Sequence, residues 1–288
     1  MKQAEIVKKM TLEQKAAFVS GYDYWHLEEA PELGLVKLNV TDGPHGLRKA
    51  NPDKKAKSGV DLSNSIPTTC FPTAATTSCS WDPELLKLQG EAMAEECLQE
   101  KVSVILGPGA NIKRSPTCGR NFEYFSEDPL LAGECAAGLI NGIQSKGVGT
   151  SLKHFACNNR ESNRFECDSR VSQRALREIY LRGFEICVKE ADPWTVMSSY
   201  NLINGKHTSE SYELLTKMLR EEWGFKGMVT TDWGAHSEHC DDVLAGGDMK
   251  MGEGDPENLK AALNSGKLLR SDLEACAKRV LELFLKFE

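Results

Sequence analysis

Short apolar runs alternate with longer amphipathic stretches along most of the chain. Lys37–Thr41, Val102–Leu106, Gly149–His154, Thr195–Tyr200 and Gly227–Thr231 are brief, apolar and followed by polar, Gly or Pro residues, so each predicts a strand. Ala245–Met251 gives a weaker signal of the same kind. Apolar residues recurring every three or four positions predict helices at Leu12–Val19, Pro83–Glu100, Pro129–Lys146, Ser172–Lys189, Tyr212–Trp223, Pro256–Ser265 and Ser271–Phe287. Asp82 before Pro83 reads as an N-cap followed by a proline in the first turn, and Ser126-Glu127-Asp128-Pro129 reads the same way. Strands alternating with helices imply parallel β-α-β units. No repeat, low-complexity tract or composition shift divides the chain. The expectation is a single α/β domain over residues 1–288: a (β/α)8-like TIM barrel with irregular or missing first strands. A doubly wound sheet is the alternative. Lys49–Asn64 has no clear period and predicts a mobile surface loop.

The composition narrows the class. The 288 residues are 40% hydrophobic and 27% charged, which fits a globular chain and excludes collagen, coiled coil and disorder. A net charge of −7 speaks against a nucleic-acid or anionic-membrane partner. No run reaches the length of a membrane span, and the N-terminus lacks a signal-peptide core. The ten cysteines show no C-x-x-C pair and no zinc-finger spacing, so they read as reduced, core-filling thiols and the expected compartment is the cytoplasm.

In a barrel the working residues lie at the C-terminal ends of strands. Here those ends read Asp42-Gly43-Pro44-His45-Gly46-Leu47-Arg48, Lys153-His154, Tyr200-Asn201 and Asp232-Trp233-Gly234. Carboxylates accept from hydroxyl groups, Lys and Arg donate to them, and an aromatic face covers the C–H face of a sugar. The set therefore points to a neutral, polyhydroxylated ligand. Each residue also has a plainer reading. Asp42 fits a turn, Lys153-His154 a solvated strand end, Asp232 the N-cap of a helix starting near Ala235, and Trp233 the core. Their joint placement at strand ends favours the site. Gly107–Pro116 is Gly-rich but matches neither a dinucleotide nor a P-loop fingerprint. His207, His236 and His239 read as surface or structural, since His236-x-x-His239 lacks the Glu of a zinc-protease helix. Neither a metal nor a cofactor is expected.

Five ordered motifs carry a resemblance: Asp42–Arg48, Gly119-Arg120-Asn121-Phe122-Glu123, Lys153-His154-Phe155, Met197-Ser198-Ser199-Tyr200-Asn201 and Thr231-Asp232-Trp233-Gly234. From about Met10 onward the chain resembles the catalytic barrel of family 3 glycoside hydrolases of the β-glucosidase type. The resemblance implies a retaining mechanism with Asp232 as the catalytic nucleophile. It implies that Asp42, Arg48, Arg120, Lys153, His154 and Arg164 bind sugar hydroxyls, with Tyr200 beside the nucleophile and Trp233 as an aromatic wall. Cationic neighbours are expected to lower the pKa of Asp232. The implied substrate is a small β-glucoside or oligosaccharide.

The sequence departs from the family pattern in three places. Thr231 stands where the family commonly has Ser, and Lys250 and Gly252 stand where it usually has an acidic residue and a proline. In the β-glucosidase type the acid/base Glu lies on a second α/β sandwich domain, whereas this chain stops at Glu288, after what reads as the final barrel helix. The expectation is a barrel lacking that domain, with the sandwich supplied in trans or the exposed face covered in a homo-oligomer. The single-domain hexosaminidase branch uses a loop His after Lys-His-Phe, but Ala156-Cys157-Asn158 follow here. Glu161, Glu166 and Asp168 remain as substitute acids. A non-catalytic sugar-binding barrel and a Lys153 Schiff-base barrel are the alternative functions.

Overall fold

The computed structural model describes residues 3–51, 64–252 and 254–287. The predicted loop Lys49–Asn64 lies largely outside these residues. The strands are β1 (Val40–Asp42), β2 (Val104–Leu106), β3 (Gly149–Phe155), β4 (Asp168–Ser169), β5 (Thr195–Ser198), β6 (Leu202–Ile203), β7 (Lys206–His207) and β8 (Met228–Thr230). Five of them form one parallel sheet in the order β1-β2-β3-β5-β8. Every residue of β2, β3, β5 and β8 is buried, as expected of parallel strands covered on both faces.

Shorter pairings close this sheet into a ring. Residues 248–250 run parallel to β8, with Asp248 N donating to Val229 O and Thr231 N to Met249 O. Ser20 pairs in parallel with Lys250, Gly21 antiparallel with Leu27, and His26 antiparallel with Asn39 just before β1. The barrel is thus completed by three bridged stretches rather than regular strands, one of them reversed. The weak strand predicted at Ala245–Met251 is the first of these stretches. The irregularity predicted for the first staves is where residues 19–27 sit. The doubly wound alternative is set aside, because an open sheet has two free edges.

Helices Pro83–Gln99, Pro129–Ser145 and Arg182–Ala191 cover one side, and their apolar faces share a core with β3 and β5. Asp82 accepts from Glu84 N and Leu85 N, and Asp128 from Leu130 N, so both predicted caps form. A second core joins the N-terminal Ile6, Val7 and Phe18 to Val280, Leu281 and Phe284 of helix Arg270–Phe284. The Phe18 and Phe284 ring centroids are 5.1 Å apart. Six cysteines, Cys97, Cys135, Cys157, Cys187, Cys240 and Cys276, fill these cores. Two predicted helices are less regular than their periodicity suggests: Leu176–Tyr180 and Glu213–Glu222 are wound as π-helix. A small ribbon, with β4 parallel to β6 and β6 antiparallel to β7, lies beyond β5. Its hairpin turns at Asn204-Gly205, both with positive φ. No described helix is long and apolar enough to cross a membrane.

Candidate active site

All nine residues singled out in the sequence line one cavity of about 350 Å³ at the C-terminal ends of the strands. Asp42 closes β1. The following loop folds back so that Arg48 N donates to Asp42 O at 2.9 Å. Gly46 makes that return feasible, since its φ is +141° and a Cβ there would lie 2.4 Å from Thr69 O. The loop sets the Arg48 guanidinium directly on the Asp42 carboxylate. From β3, Lys153 Nζ donates to the other oxygen, Asp42 Oδ1, at 2.9 Å. Asp42 is therefore an ion-paired rim residue and not a turn residue. Burial alone would raise its pKa, but Lys153 and Arg48 together hold it well below the usual carboxylate range.

His154 is buried beside them, and its backbone is pinned by Asn111, which donates to His154 O and accepts from His154 N. An Arg120 nitrogen lies 2.9 Å from His154 Nε2. Arginine can only donate, so Nε2 accepts and the ring proton sits on Nδ1. Nδ1 then donates to the Tyr124 hydroxyl oxygen at 2.9 Å, which also accepts from Asn158 Nδ2 at 2.9 Å. Burial, aided by Arg120 and Lys153, pushes the His154 pKa well below its ordinary value. His154 is a neutral ring whose bare Nε2 lies 3.7 Å from Asp232 Oδ2.

Asp232 follows β8 and is 8% exposed. It caps no helix, because the next one is His239–Ala245, with Glu238 at its N-cap. Its Oδ1 accepts from Trp233 N at 2.7 Å. Burial dominates its titration and outweighs Arg120, the Trp233 N–H, Lys153 and Tyr200, so its pKa is raised. This corrects the expected direction. The cations are present, but their hydrogen bonds go elsewhere: Lys153 to Asp42, and Arg120 to Glu123 and His154.

Aromatic rings form one wall. Trp233 lies 5.9 Å from Trp25 and donates through Nε1 to Tyr24 O at 2.7 Å. It is half-buried at the cavity, not in the core. Tyr200 donates to Trp233 O at 2.5 Å, and the Arg164 guanidinium lies 4.6 Å above the Tyr200 ring. Burial raises the Tyr200 hydroxyl, and the neighbouring Asp232 raises it further.

Sequence reasoning assigned no role to Glu123, Tyr24, Trp25 or Phe122, which also line the cavity, nor to the supporting Tyr124, Asn111 and Asn158. Glu123 and Phe122 belong to the Gly119-Arg120-Asn121-Phe122-Glu123 motif, and the aromatic run Tyr22–His26 is a visible signal for the wall. None of the substitute acids lines the cavity, although Glu161 lies 3.9 Å from Arg120 at its edge. Glu161 pairs with Arg164 at 3.4 Å, Glu166 faces His236 at 3.6 Å, and Asp168 pairs with Arg170. His236 stacks on Phe165, and no group of three or more metal-binding side chains occurs among the described residues.

Residues 58–283 match the profile of the Glycosyl hydrolase family 3 N terminal domain. The chain is 52% identical over 281 residues to an exo-α-(1→6)-L-arabinopyranosidase of Bifidobacterium breve, covering 97% of this chain and 37% of that protein. It is 49% identical over 288 residues to thermostable β-glucosidase B of Acetivibrio thermocellus, covering 99% and 38%. The structure of β-glucosidase 3B from Thermotoga neapolitana in complex with α-D-glucose superimposes with a TM-score of 0.92 at 40% identity, covering 99% of this chain and 43% of that one. The chain spans little more than a third of the length of these curated relatives.

Proposed function

Because the chain belongs to glycosyl hydrolase family 3, we propose that its cavity is the sugar-binding and nucleophilic part of a retaining β-glycosidase site. Terminal non-reducing β-D-glucosyl residues are the proposed substrate. The observation that carries this reading is the convergence on one cavity of a buried Asp232, which has no Lys or Arg as a direct partner among the described residues, and a hydroxyl-binding set. Asp42, Arg48, Lys153 and Arg120 supply fixed acceptors and donors for ring hydroxyls, and the Tyr24–Trp25–Trp233 wall supplies an apolar face. Asp232 attacks the anomeric carbon, the glycosidic oxygen leaves, and water later hydrolyses the resulting ester. The cavity's other carboxylates, Asp42 and Glu123, are tied to cations. The proposed source of the leaving-group proton is a carboxyl on a second domain, a reading supported by the chain's covering only 37–38% of its curated relatives' length.

The test is release of p-nitrophenol from its β-D-glucoside by the purified chain, with Asp232→Ala alongside. Turnover that disappears with Asp232 supports the reading, and turnover that survives overturns the nucleophile assignment. Cellobiose, whose leaving group needs protonation, should react about 10²–10⁴-fold more slowly. Equal rates on both substrates would mean the barrel holds its own acid.

A second sugar deserves the same assay, because a relative at 52% identity carries the name arabinopyranosidase. An α-L-arabinopyranosyl ring differs from β-D-glucosyl at the C4 hydroxyl and lacks the hydroxymethyl group. The ratio of kcat/KM on the two p-nitrophenyl glycosides reads the preference directly.

A further inference from the structure

Lys250 lies beside the loop that carries Asp232, and its ammonium is held by that loop. The stretch 249–252 backs the loop that carries Asp232. Thr231 N donates to Met249 O at 2.9 Å, Met251 N to the Thr231 hydroxyl at 3.1 Å, and Gly234 N to Met251 O at 3.3 Å. The Thr231 hydroxyl is thus an acceptor for the backbone of this stretch, which either Ser or Thr supplies. Beyond Gly234 the backbone contacts to this stretch end and the Lys250 side chain takes over. Its ammonium donates to Ser237 O at 2.6 Å, Ser237 Oγ at 3.1 Å, Asp242 Oδ2 at 3.1 Å and Ala235 O at 3.4 Å. Asp242 also accepts from the Ser237 hydroxyl at 2.9 Å. An ammonium has only donors to offer, and this site presents only acceptors to it.

The held segment continues into the cavity wall. His236 stacks on Phe165 with ring centroids 4.4 Å apart, and Phe165 packs on Tyr200 at 4.6 Å. Asp232 and Trp233 lie at the start of the same loop. We propose that Lys250 is a positioning residue: it clamps residues 235–237 to the barrel and so fixes the approach of Asp232 and the Tyr200 wall. An acidic side chain at this position would face the same carbonyls and the Asp242 carboxylate with no donor. The loop of this chain is therefore built around a cation. The catalytic consequence rests on the glycosidase reading, whereas the clamp itself does not.

Lys250→Met keeps the aliphatic stem and removes the donors, and Lys250→Arg keeps a donor. Hydrogen exchange reads the clamp without any substrate. The expected result is faster exchange of residues 233–238 in Lys250→Met, unchanged exchange in helix Pro83–Gln99, and partial recovery in Lys250→Arg. On p-nitrophenyl β-D-glucoside, kcat should fall by up to about 10²-fold with KM little changed, as for a misplaced reacting group. Wild-type exchange in the loop of Lys250→Met would overturn the proposal, and so would protection lost equally across the fold. If the wild-type chain turns over no glycoside, the glycosidase reading falls and the exchange data alone decide the clamp.

Discussion

Asp42 and Asp232 stand at the ends of β1 and β8, facing one cavity, yet their pKa values move in opposite directions. Burial raises both. Asp42 has Arg48 and Lys153 as direct partners, and their charges overcome burial. Asp232 has a backbone N–H and a neutral imidazole, while Arg120 is engaged by Glu123 and His154. The cavity holds several cations, and what differs is where their hydrogen bonds are directed. A carboxylate whose charge is strongly stabilised loses that stabilisation on forming an ester, whereas one held weakly loses little. The pairing pattern thus suits Asp42 to hold a ligand and Asp232 to react with one.

This contrast can be broken most directly at Asp232. Asp232→Asn should reduce p-nitrophenyl glucoside turnover by at least about 10³-fold, with glucose affinity measured by calorimetry nearly unchanged. Asp42→Asn should act on binding instead, weakening glucose by about 10–100-fold, the range for a hydrogen bond to a charged group. It also removes the counterion of Arg48 and the nearer of the two carboxylates beside Lys153, the other being Glu123 at 3.9 Å. The charge of the two cations then falls on Asp232, so the acidic limb of the pH–rate profile should move to lower pH.

Stability sharpens the same comparison. The folded pKa of Asp42 lies below its ordinary 3.8, so its ionisation stabilises the fold above that value, and this contribution is lost as pH falls toward the folded pKa. The folded pKa of Asp232 lies above 3.8, so stability is lost as pH rises from 3.8 through the folded value, above which the full penalty remains. At pH 7, Asp42→Asn should lower Tm and Asp232→Asn should raise it by a few degrees. The rise should vanish near pH 3. Equal shifts of the same sign in thermal melts would mean that the two carboxylates are not distinguished as described. Tyr124→Phe should have the smallest effect on turnover, acting on stability instead. It leaves His154 Nδ1–H and Asn158 Nδ2–H without their shared acceptor. Asn158 Nδ2 keeps Glu161 as an acceptor, so the stranded His154 N–H dominates, at about 1–3 kcal/mol, visible in denaturant midpoints before activity changes.

Much of this was legible in the chain. Strand ends followed by Asp42-Gly43, Lys153-His154, Tyr200-Asn201 and Asp232-Trp233 gave the rim, because a parallel barrel places every such end on one face. The staves at 19–21 and 25–27 were not legible, since each pairs through one or two residues and too short a run carries no period. Tyr124, Asn111 and Asn158 were missed for a related reason. They act by contact with His154, and their sequence neighbourhood looks like ordinary loop.

The order of residue types along the chain determined by itself that an α/β barrel forms and which side chains meet on its rim. Alternating period and strand-end position are local properties that survive without knowledge of packing. Only the tertiary structure decided how the charges are shared, that His154 is neutral with its proton on Nδ1, and that Asp232 is raised where its cationic neighbours suggested the reverse. Burial and pairing depend on distances between residues far apart in sequence, such as the 2.9 Å between Lys153 and Asp42. A list of neighbours along the chain does not contain that distance.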